Sequence, residues 1–361
     1  MENRSTKQPT VLITGAAGLI GSRIVEVLGA RYQLVAFDVV APQDNCGEID
    51  FIRCDLTDNL SVGHALGELR RRQGQELASV IHLAAYYDFS GEPSPLYEEL
   101  TVEGPRRLLR GFRDFGFQVE QFIFSSSLLV MRPVEQGQVL TEASGTQAEW
   151  DYPRSKLETE RVIQEERGEI PAVVLRIAGV YDDDCRSIPI AHQIKRIYER
   201  DLESYFFPGN AEQGQSFVHL DDLVDCLDRV VDGRRDLAAY EVFLVGEPDV
   251  MSYAELQDRI GEALHGHEWP TIRIPKTAAK AGAWLQEKLS GDDEEPFIKP
   301  WMVDLADAHY PVDPSKARAR LGWAPGHSLR TTLGEVLRRL KEDPRRWYKV
   351  NKLPAPEELA R

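Results

Sequence analysis

Cysteine is scarce in this chain. Its 361 residues hold four, Cys46, Cys54, Cys185 and Cys226, and none forms a Cys-x-x-Cys pair. That scatter fits neither a disulfide framework nor a zinc site, and no metal is expected. It predicts free thiols in a reducing cytoplasm. No stretch reaches the ~18 uninterrupted apolar residues of a membrane span. Met1 to Thr10 is polar and runs straight into the first apolar segment, so no signal peptide is expected. Positive charge is in deficit, with 43 Lys and Arg against 59 Asp and Glu and a net charge of −16. Phosphate polymers and anionic membranes repel such a surface, so neither is an expected partner. A small anionic ligand held by backbone N–H groups remains compatible. The chain has no internal repeat. Its apolar share of 42% argues against disorder and suffices for a packed core.

What is present alternates. Apolar runs lie at Val11–Thr14, Leu34–Phe37, Phe51–Cys54, Val80–Ala84, Gln121–Phe124 and Ala172–Ile177, mostly separated by helix-like patterns. Continuous apolar strands alternating with helices predict an α/β fold, a doubly wound parallel sheet of Rossmann type. After about Gly179 the pattern loosens. Helices are expected at 189–200, 252–264 and 277–289, and strands at 216–220 and 241–245. Ser252 and Glu255 stand at capping-box spacing. The expected division is a dinucleotide-binding domain at 1–180 and a smaller substrate-binding region at 181–343, with strands returning to the sheet. A surface tail would follow at 344–361, and Gly291–Glu295 reads as an acidic loop.

Four features carry chemistry. The first is Gly15, Gly18 and Gly21, spaced Gly-x-x-Gly-x-x-Gly between a strand and a helix. Gly15 allows the tight turn, Gly18 lets backbone approach a phosphate, and Gly21 lets the helix pack close to the sheet. The helix N-terminus then faces a pyrophosphate; a ligand-free glycine turn is the plainer reading. The second is Asp38, which ends the second strand where a ribose-binding acid is expected. Val39 and Val40 follow with no arginine for a 2′-phosphate, which favours NAD over NADP. Asp55 and Leu56, after the third strand, fit either an adenine contact or a helix cap near Asp58.

The third feature is Tyr152 and Lys156, one helical turn apart. An ammonium beside a phenol lowers its pKa towards neutrality, so tyrosine can serve as a general acid or base. Asp151 stands where it can cap that helix, and Pro153 is tolerated in a first turn. The fourth is Ser125-Ser126-Ser127, at the carboxyl end of a strand, where open α/β sheets bind ligands. A serine hydroxyl there can orient a substrate oxygen.

Taken in order, these pieces resemble the extended short-chain dehydrogenase/reductase family, the NAD-dependent epimerase/dehydratase superfamily. His82-Leu83-Ala84-Ala85, Leu175-Arg176-Ile177-Ala178-Gly179-Val180-Tyr181, Phe217-Val218-His219-Leu220-Asp221-Asp222, Ser315-Lys316-Ala317 and Leu321-Gly322-Trp323-Ala324-Pro325 extend the likeness over roughly residues 10–340. The resemblance implies Ser127, Tyr152 and Lys156 as the catalytic set. It implies cofactor contacts from Leu19 and Ile20, from Ala84 and Ala85 beneath the adenosine ribose, from Ser125, and from Tyr152 and Lys156 at the nicotinamide ribose. It also implies a homodimer through the Tyr152 helix and the helix before the fifth strand.

The sequence departs from the family at Thr101, where asparagine often supports a proton relay. It departs again at Met131-Arg132, at Gly179 in place of a phosphate-gripping asparagine, and at Asp182-Asp183-Asp184. The segment Arg176–Tyr181 and the stretch from Ile274 through Leu289 look more like the 3β-hydroxysteroid dehydrogenase and dihydroflavonol reductase branches. There Ala281, Trp284, Leu285 and Leu289 fit either a cap on an apolar pocket or an ordinary core-facing helix. The expected activity is hydride transfer between a small secondary alcohol or ketone and NAD. The alternative is a nucleotide-sugar 4-epimerase or dehydratase with tightly bound NAD. A non-catalytic NAD-sensing protein is a third class, against which the intact Ser127, Tyr152 and Lys156 set argues.

Overall fold

Seven segments pair side by side, all parallel: β1 Thr10–Thr14, β2 Gln33–Asp38, β3 Asp50–Arg53, β4 Ser79–His82, β5 Phe122–Ser127, β6 Ala172–Ile177 and β7 Tyr240–Val245. The computed structural model describes residues 8–42, 49–88, 92–289, 300–356 and 359, with backbone alone for 283–289, 300 and 301. Cys46 and the acidic loop at 291–295 lie outside the described residues. Strand order is β7-β6-β5-β4-β1-β2-β3, which reverses direction at β1. In doubly wound sheets the crevice at such a reversal is where ligands bind.

The strands are apolar on both faces because helices cover both. Val11 and Ile13 face one layer, with α1 (Leu19–Leu28) and α6 (Leu220–Asp232). Leu12 faces the other, with α2 (Asn59–Gln73), α3 (Glu103–Asp114) and Ile163 of α4 (Asp151–Glu166). The expected α/β doubly wound sheet is thus the observed one. Asp58 caps α2, accepting from Leu60 N and Ser61 N.

A third core forms after Gly179. It joins α5 (Ile188–Glu199), α7 (Tyr253–His265), α11 (Leu329–Glu342) and α12 (Pro344–Val350) around Tyr181, Phe217 and Trp269. The remaining helices are α8 (Lys276–Leu289), α9 (Pro300–Leu305) and α10 (Ser315–Leu321). Two short parallel pairs, Gly179–Tyr181 with Phe217–His219 and Phe206–Pro208 with Ile272–Ile274, link this region. On α8, Ala281 is exposed, while the side chains of Trp284, Leu285 and Leu289 lie outside the described residues.

Three local expectations are corrected. The segment expected to begin a surface tail is α12, whose Trp347 and Tyr348 are buried in the third core. Their apolar rings have somewhere to go because Arg339 and Arg346 anchor α11 and α12 on Asp184. Asp151 is not the cap of α4. Trp150 holds that position without a side-chain bond, and Asp151 pairs with Arg154 in the first turn. Ser252 caps α7 by accepting from Glu255 N at 3.1 Å, but the Glu255 carboxylate does not reach back. It goes to Arg259 and Arg330, because two guanidinium groups outcompete one amide.

Trp347 retains 2% of its surface. Trp347→Ala is therefore expected to cost about 3–5 kcal/mol of stability, read as a lower urea midpoint with the slope unchanged.

Candidate active site

The carboxyl ends of β1, β2, β4 and β5 converge. After β1, Gly15 turns at φ +72°, and a Cβ on it would stand 2.8 Å from Ala84 N. A Cβ on Gly21 would lie 2.7 Å from Ala16 Cα, so α1 starts against the turn only without side chains. Gly18 is the N-cap of α1, which has neither a side-chain cap nor an acid in its first turn. The N–H groups of Leu19 to Gly21 thus have no side-chain cap, the condition under which a helix start can hold an anion. Asp38 braces the turn. Its carboxylate accepts from Ala17 N at 3.1 Å and from Val39 N at 2.8 Å. Asp55 accepts from both the N–H and the hydroxyl of Thr57, and Leu56 is buried with its side chain facing Gly104 on α3.

His82 ends β4 wholly buried. Its Nδ1 is 2.8 Å from Thr14 Oγ1, and Thr14 Oγ1 in turn accepts from Ala84 N at 3.3 Å. Burial, then the nearby Lys156 charge, pushes the imidazole down to about 3, so it is neutral at physiological pH. Ala84 and Ala85 are half-buried just beyond it.

Ser125, Ser126 and Ser127 are the last three residues of β5 and lie against α4. The Ser127 hydroxyl bonds to the Tyr152 phenol and accepts from Leu129 N at 3.2 Å. Lys156 Nζ donates to the Ser125 carbonyl at 2.7 Å and lies 5.8 Å from the centre of the Tyr152 ring. The Ser125 hydroxyl donates to His82 O at 3.1 Å. The structure thus gathers Ser125, Ser127, Tyr152 and Lys156 at one point.

The electrostatics differ from expectation. Lys156 does not acidify Tyr152: burial pushes the phenol up to about 12, against the downward pull of the Ser127 bond. Burial also lowers Lys156 to about 7, opposed by the Glu160 carboxylate. The ammonium is spent on a backbone carbonyl and on the Phe124 ring, 4.9 Å away, so desolvation governs both groups.

Thr101, at the relay position, is fully buried. Its hydroxyl accepts from Tyr86 N at 2.9 Å, and its carbonyl accepts from the Thr159 hydroxyl at 2.8 Å. It lies in a π-helical turn, Tyr97–Val102, that no sequence pattern announced. Tyr87 and Trp150 flank Tyr152, with ring centroids at 4.8 and 5.5 Å. Sequence reading also missed Glu160. The signal was its spacing, since 152, 156 and 160 repeat every four residues along one helix face.

At the departures, the Phe217 ring fills the space beside Gly179, where a Cβ would stand 2.8 Å from it. Asp183 and Asp184 are tied to Arg339, and Asp182 to Arg186. The acidic turn is therefore an anchor for α11.

Comparisons with known proteins agree on this architecture. The profile described as the NAD dependent epimerase/dehydratase family matches residues 11–246. The chain is 25% identical over 355 residues to short-chain dehydrogenase/reductase family 42E member 1 of Bos taurus, covering 90% of this chain and 86% of that one. It is 24% identical over 348 residues to 3beta-hydroxysteroid-dehydrogenase/decarboxylase isoform 1 of Arabidopsis thaliana, covering 87% and 75%. The fold is similar to that of Thermus thermophilus UDP-glucose 4-epimerase in complex with NAD, with TM-score 0.67 and 23% identity over 92% of this chain and 99% of the other.

The Lys156 value sets a pH dependence of stability. With a folded value of about 7, the unfolded chain binds a proton that the folded one lacks as pH rises from 7 to ~10.4. Stability from this group therefore rises across that window, and the full cost of the buried cation is present below it. Lys156→Met is expected to raise the melting temperature at pH 6 and to flatten its rise towards pH 10, measured by thermal unfolding across pH.

Proposed function

We propose, for a chain that belongs to the NAD-dependent epimerase/dehydratase family of extended short-chain dehydrogenase/reductase enzymes, that it moves a hydride between a secondary alcohol or ketone and NAD. The observation that carries this reading is the convergence of Ser127, Tyr152 and Lys156 at the sheet's carboxyl edge.

The uncapped α1 and the side-chain-free turn at Gly15 and Gly21 fit a pyrophosphate, with Leu19 and Ile20 beside it. Asp38 fits the adenosine ribose, and no arginine follows it to favour NADP; relatives of this fold are described as NAD complexes. Asp55, Leu56, Ala84, Ala85 and Ser125 complete the proposed cradle. When bound there, NAD supplies the hydride acceptor or donor. Ser127 holds the substrate oxygen against the Tyr152 hydroxyl. In ketone reduction Tyr152 donates its proton to that oxygen, a role suited to a phenol that burial keeps protonated. In alcohol oxidation Tyr152 first loses its own proton to solvent, and the phenolate then removes the alcohol proton. Lys156 supplies positive charge beside the developing phenolate and binds the nicotinamide ribose.

The substrate-binding region is assigned to residues 181–343. Tyr87 and Trp150, set around Tyr152, support a substrate with an apolar body. Three buried free thiols, Cys54, Cys185 and Cys226, support a cytoplasmic setting, and no described helix is long and apolar enough to cross a membrane. A homodimer through α3 and α4 would present charges already paired within one protomer, Arg110 with Glu166 and Arg161 with Glu158. Light scattering is expected to give twice the mass of one chain.

The test is turnover followed at 340 nm with a panel of secondary alcohols and ketones. Net NADH production from an alcohol is expected, with NAD preferred to NADP. Sugar conversion without net NADH would instead establish the epimerase or dehydratase reading. Oxidation should quicken with rising pH, while reduction should fall above about pH 7 as Lys156 loses its charge. Tyr152→Phe should lower turnover roughly 10²–10⁴-fold and weaken NAD binding, measured by calorimetry, far less, because only one hydroxyl contact to the nicotinamide ribose is lost. Unaltered turnover in that variant would remove Tyr152 from the chemistry.

A further inference from the structure

Glu160 and Arg176 form an ion pair with almost no exposed surface, next to the proposed active site but touching none of its reacting groups. Arg176 Nη2 donates to Glu160 Oε2 at 2.7 Å, and Nε donates to Oε1 at 3.1 Å. A third bond reaches Glu160 from Ser126, whose hydroxyl donates at 2.6 Å. Arg176 Nη1 also lies 3.0 Å from the sulfur of Met131. Both Glu160 carboxylate oxygens are thus bonded inside the protein.

The contacts between β5 and α4 form a ladder. Ser127 meets Tyr152 in the first turn of α4, the Ser125 carbonyl meets Lys156 one turn on, and Ser126 meets Glu160 one turn further. Three consecutive strand residues therefore engage residues 152, 156 and 160. Side chains alternate across a strand, so Ser126 points to the opposite face of β5 from Ser125 and Ser127. It shares the face of Phe122 and Phe124, which α4 covers, and its tie to Glu160 adds a side-chain anchor beside the backbone tie of Ser125. Arg176 closes the arrangement from β6, where it sits opposite Ser126 in the sheet register. One ionic contact thereby joins β5, β6 and α4.

We propose that Glu160 and Arg176, acting through Ser126, are positioning residues that fix α4 on β5 so that Lys156 and Tyr152 meet Ser125 and Ser127. The consequence for catalysis rests on the hydride-transfer reading above. The pair has a second effect through charge. The Glu160 carboxylate lies one turn from Lys156 and favours its ammonium form, opposing the effect of burial. Removing that carboxylate leaves the Arg176 cation uncompensated nearby, which disfavours the Lys156 cation further.

The test uses the full chain labelled with ¹³C-lysine, the Lys156 signal being assigned by its loss in Lys156→Met. Glu160→Gln is nearly isosteric and keeps an acceptor for Ser126. Its Lys156 midpoint should fall by about one unit, and the limb of the pH–rate profile that follows Lys156 should move to lower pH by the same amount. Ser126→Ala leaves both charges in place. Its turnover number should fall about tenfold through misplacement, with NAD affinity by calorimetry unchanged. An unshifted Lys156 midpoint in folded Glu160→Gln overturns the proposal. If Glu160→Gln does not fold, full turnover in Ser126→Ala overturns it alone. A wild-type protein that binds NAD but turns over none of the alcohols or ketones overturns the hydride-transfer reading. The Lys156 midpoint then still decides whether the pair holds the lysine.

Discussion

Lys156, with 3% of its surface exposed, places its ammonium group between β5 and α4, and its burial governs much of what surrounds it. Taking a cation out of water is costly unless donors and acceptors replace the water. Here the Ser125 carbonyl, the Phe124 ring and the field of Glu160 do so. The compensation is partial, which is why Lys156 sits near neutrality instead of above 10. The same dry surroundings hold Tyr152 protonated and His82 neutral. Burial thus dominates the charge state of three neighbouring groups, and His82 also feels the Lys156 charge.

Such a pocket needs rigid walls. β5 is central in the sheet, so it cannot yield without disturbing β4 and β6, with which it is paired residue by residue. α4 is fastened to that strand at three successive turns and to Thr101 through Thr159. The π-helical turn at Tyr97–Val102 brings Thr101 into reach of both Tyr86 and Thr159. Irregular helical turns of this kind tend to occur beside functional sites because they aim particular groups. Thr101 is thereby a structural tie between these segments.

The C-terminal region is stabilised by a different logic. Its acidic turn at Asp182–Asp184 would repel itself if left open. Arg186, Arg339 and Arg346 neutralise it, and two of these come from the far end of the chain. The third core can therefore close only when α11 and α12 have docked. Beneath it, Glu247 is buried and accepts from Leu329 N at 2.9 Å, and burial raises it to about 8. This C-terminal region is thus coupled to the chain's last helices.

The sequence by itself determined the sheet. Runs such as Val11–Ile13 and Ala172–Leu175 are apolar at every position, as a strand covered on both faces requires. It also determined the tight turn, since Gly15 and Gly21 occupy places where any Cβ would strike backbone. Residues 152 and 156 were readable as partners because one helical turn separates them. Tertiary structure decided what that partnership does. Proximity along a helix says nothing about whether water is excluded, and exclusion reversed the expected direction of the Tyr152 shift. The pairing of Glu160 with Arg176 and the burial of Trp347 were likewise beyond reach. The first joins a helix to the next strand and the second a C-terminal helix to a distant core, and local pattern carries no information about which charge or apolar cleft on another element a side chain will meet.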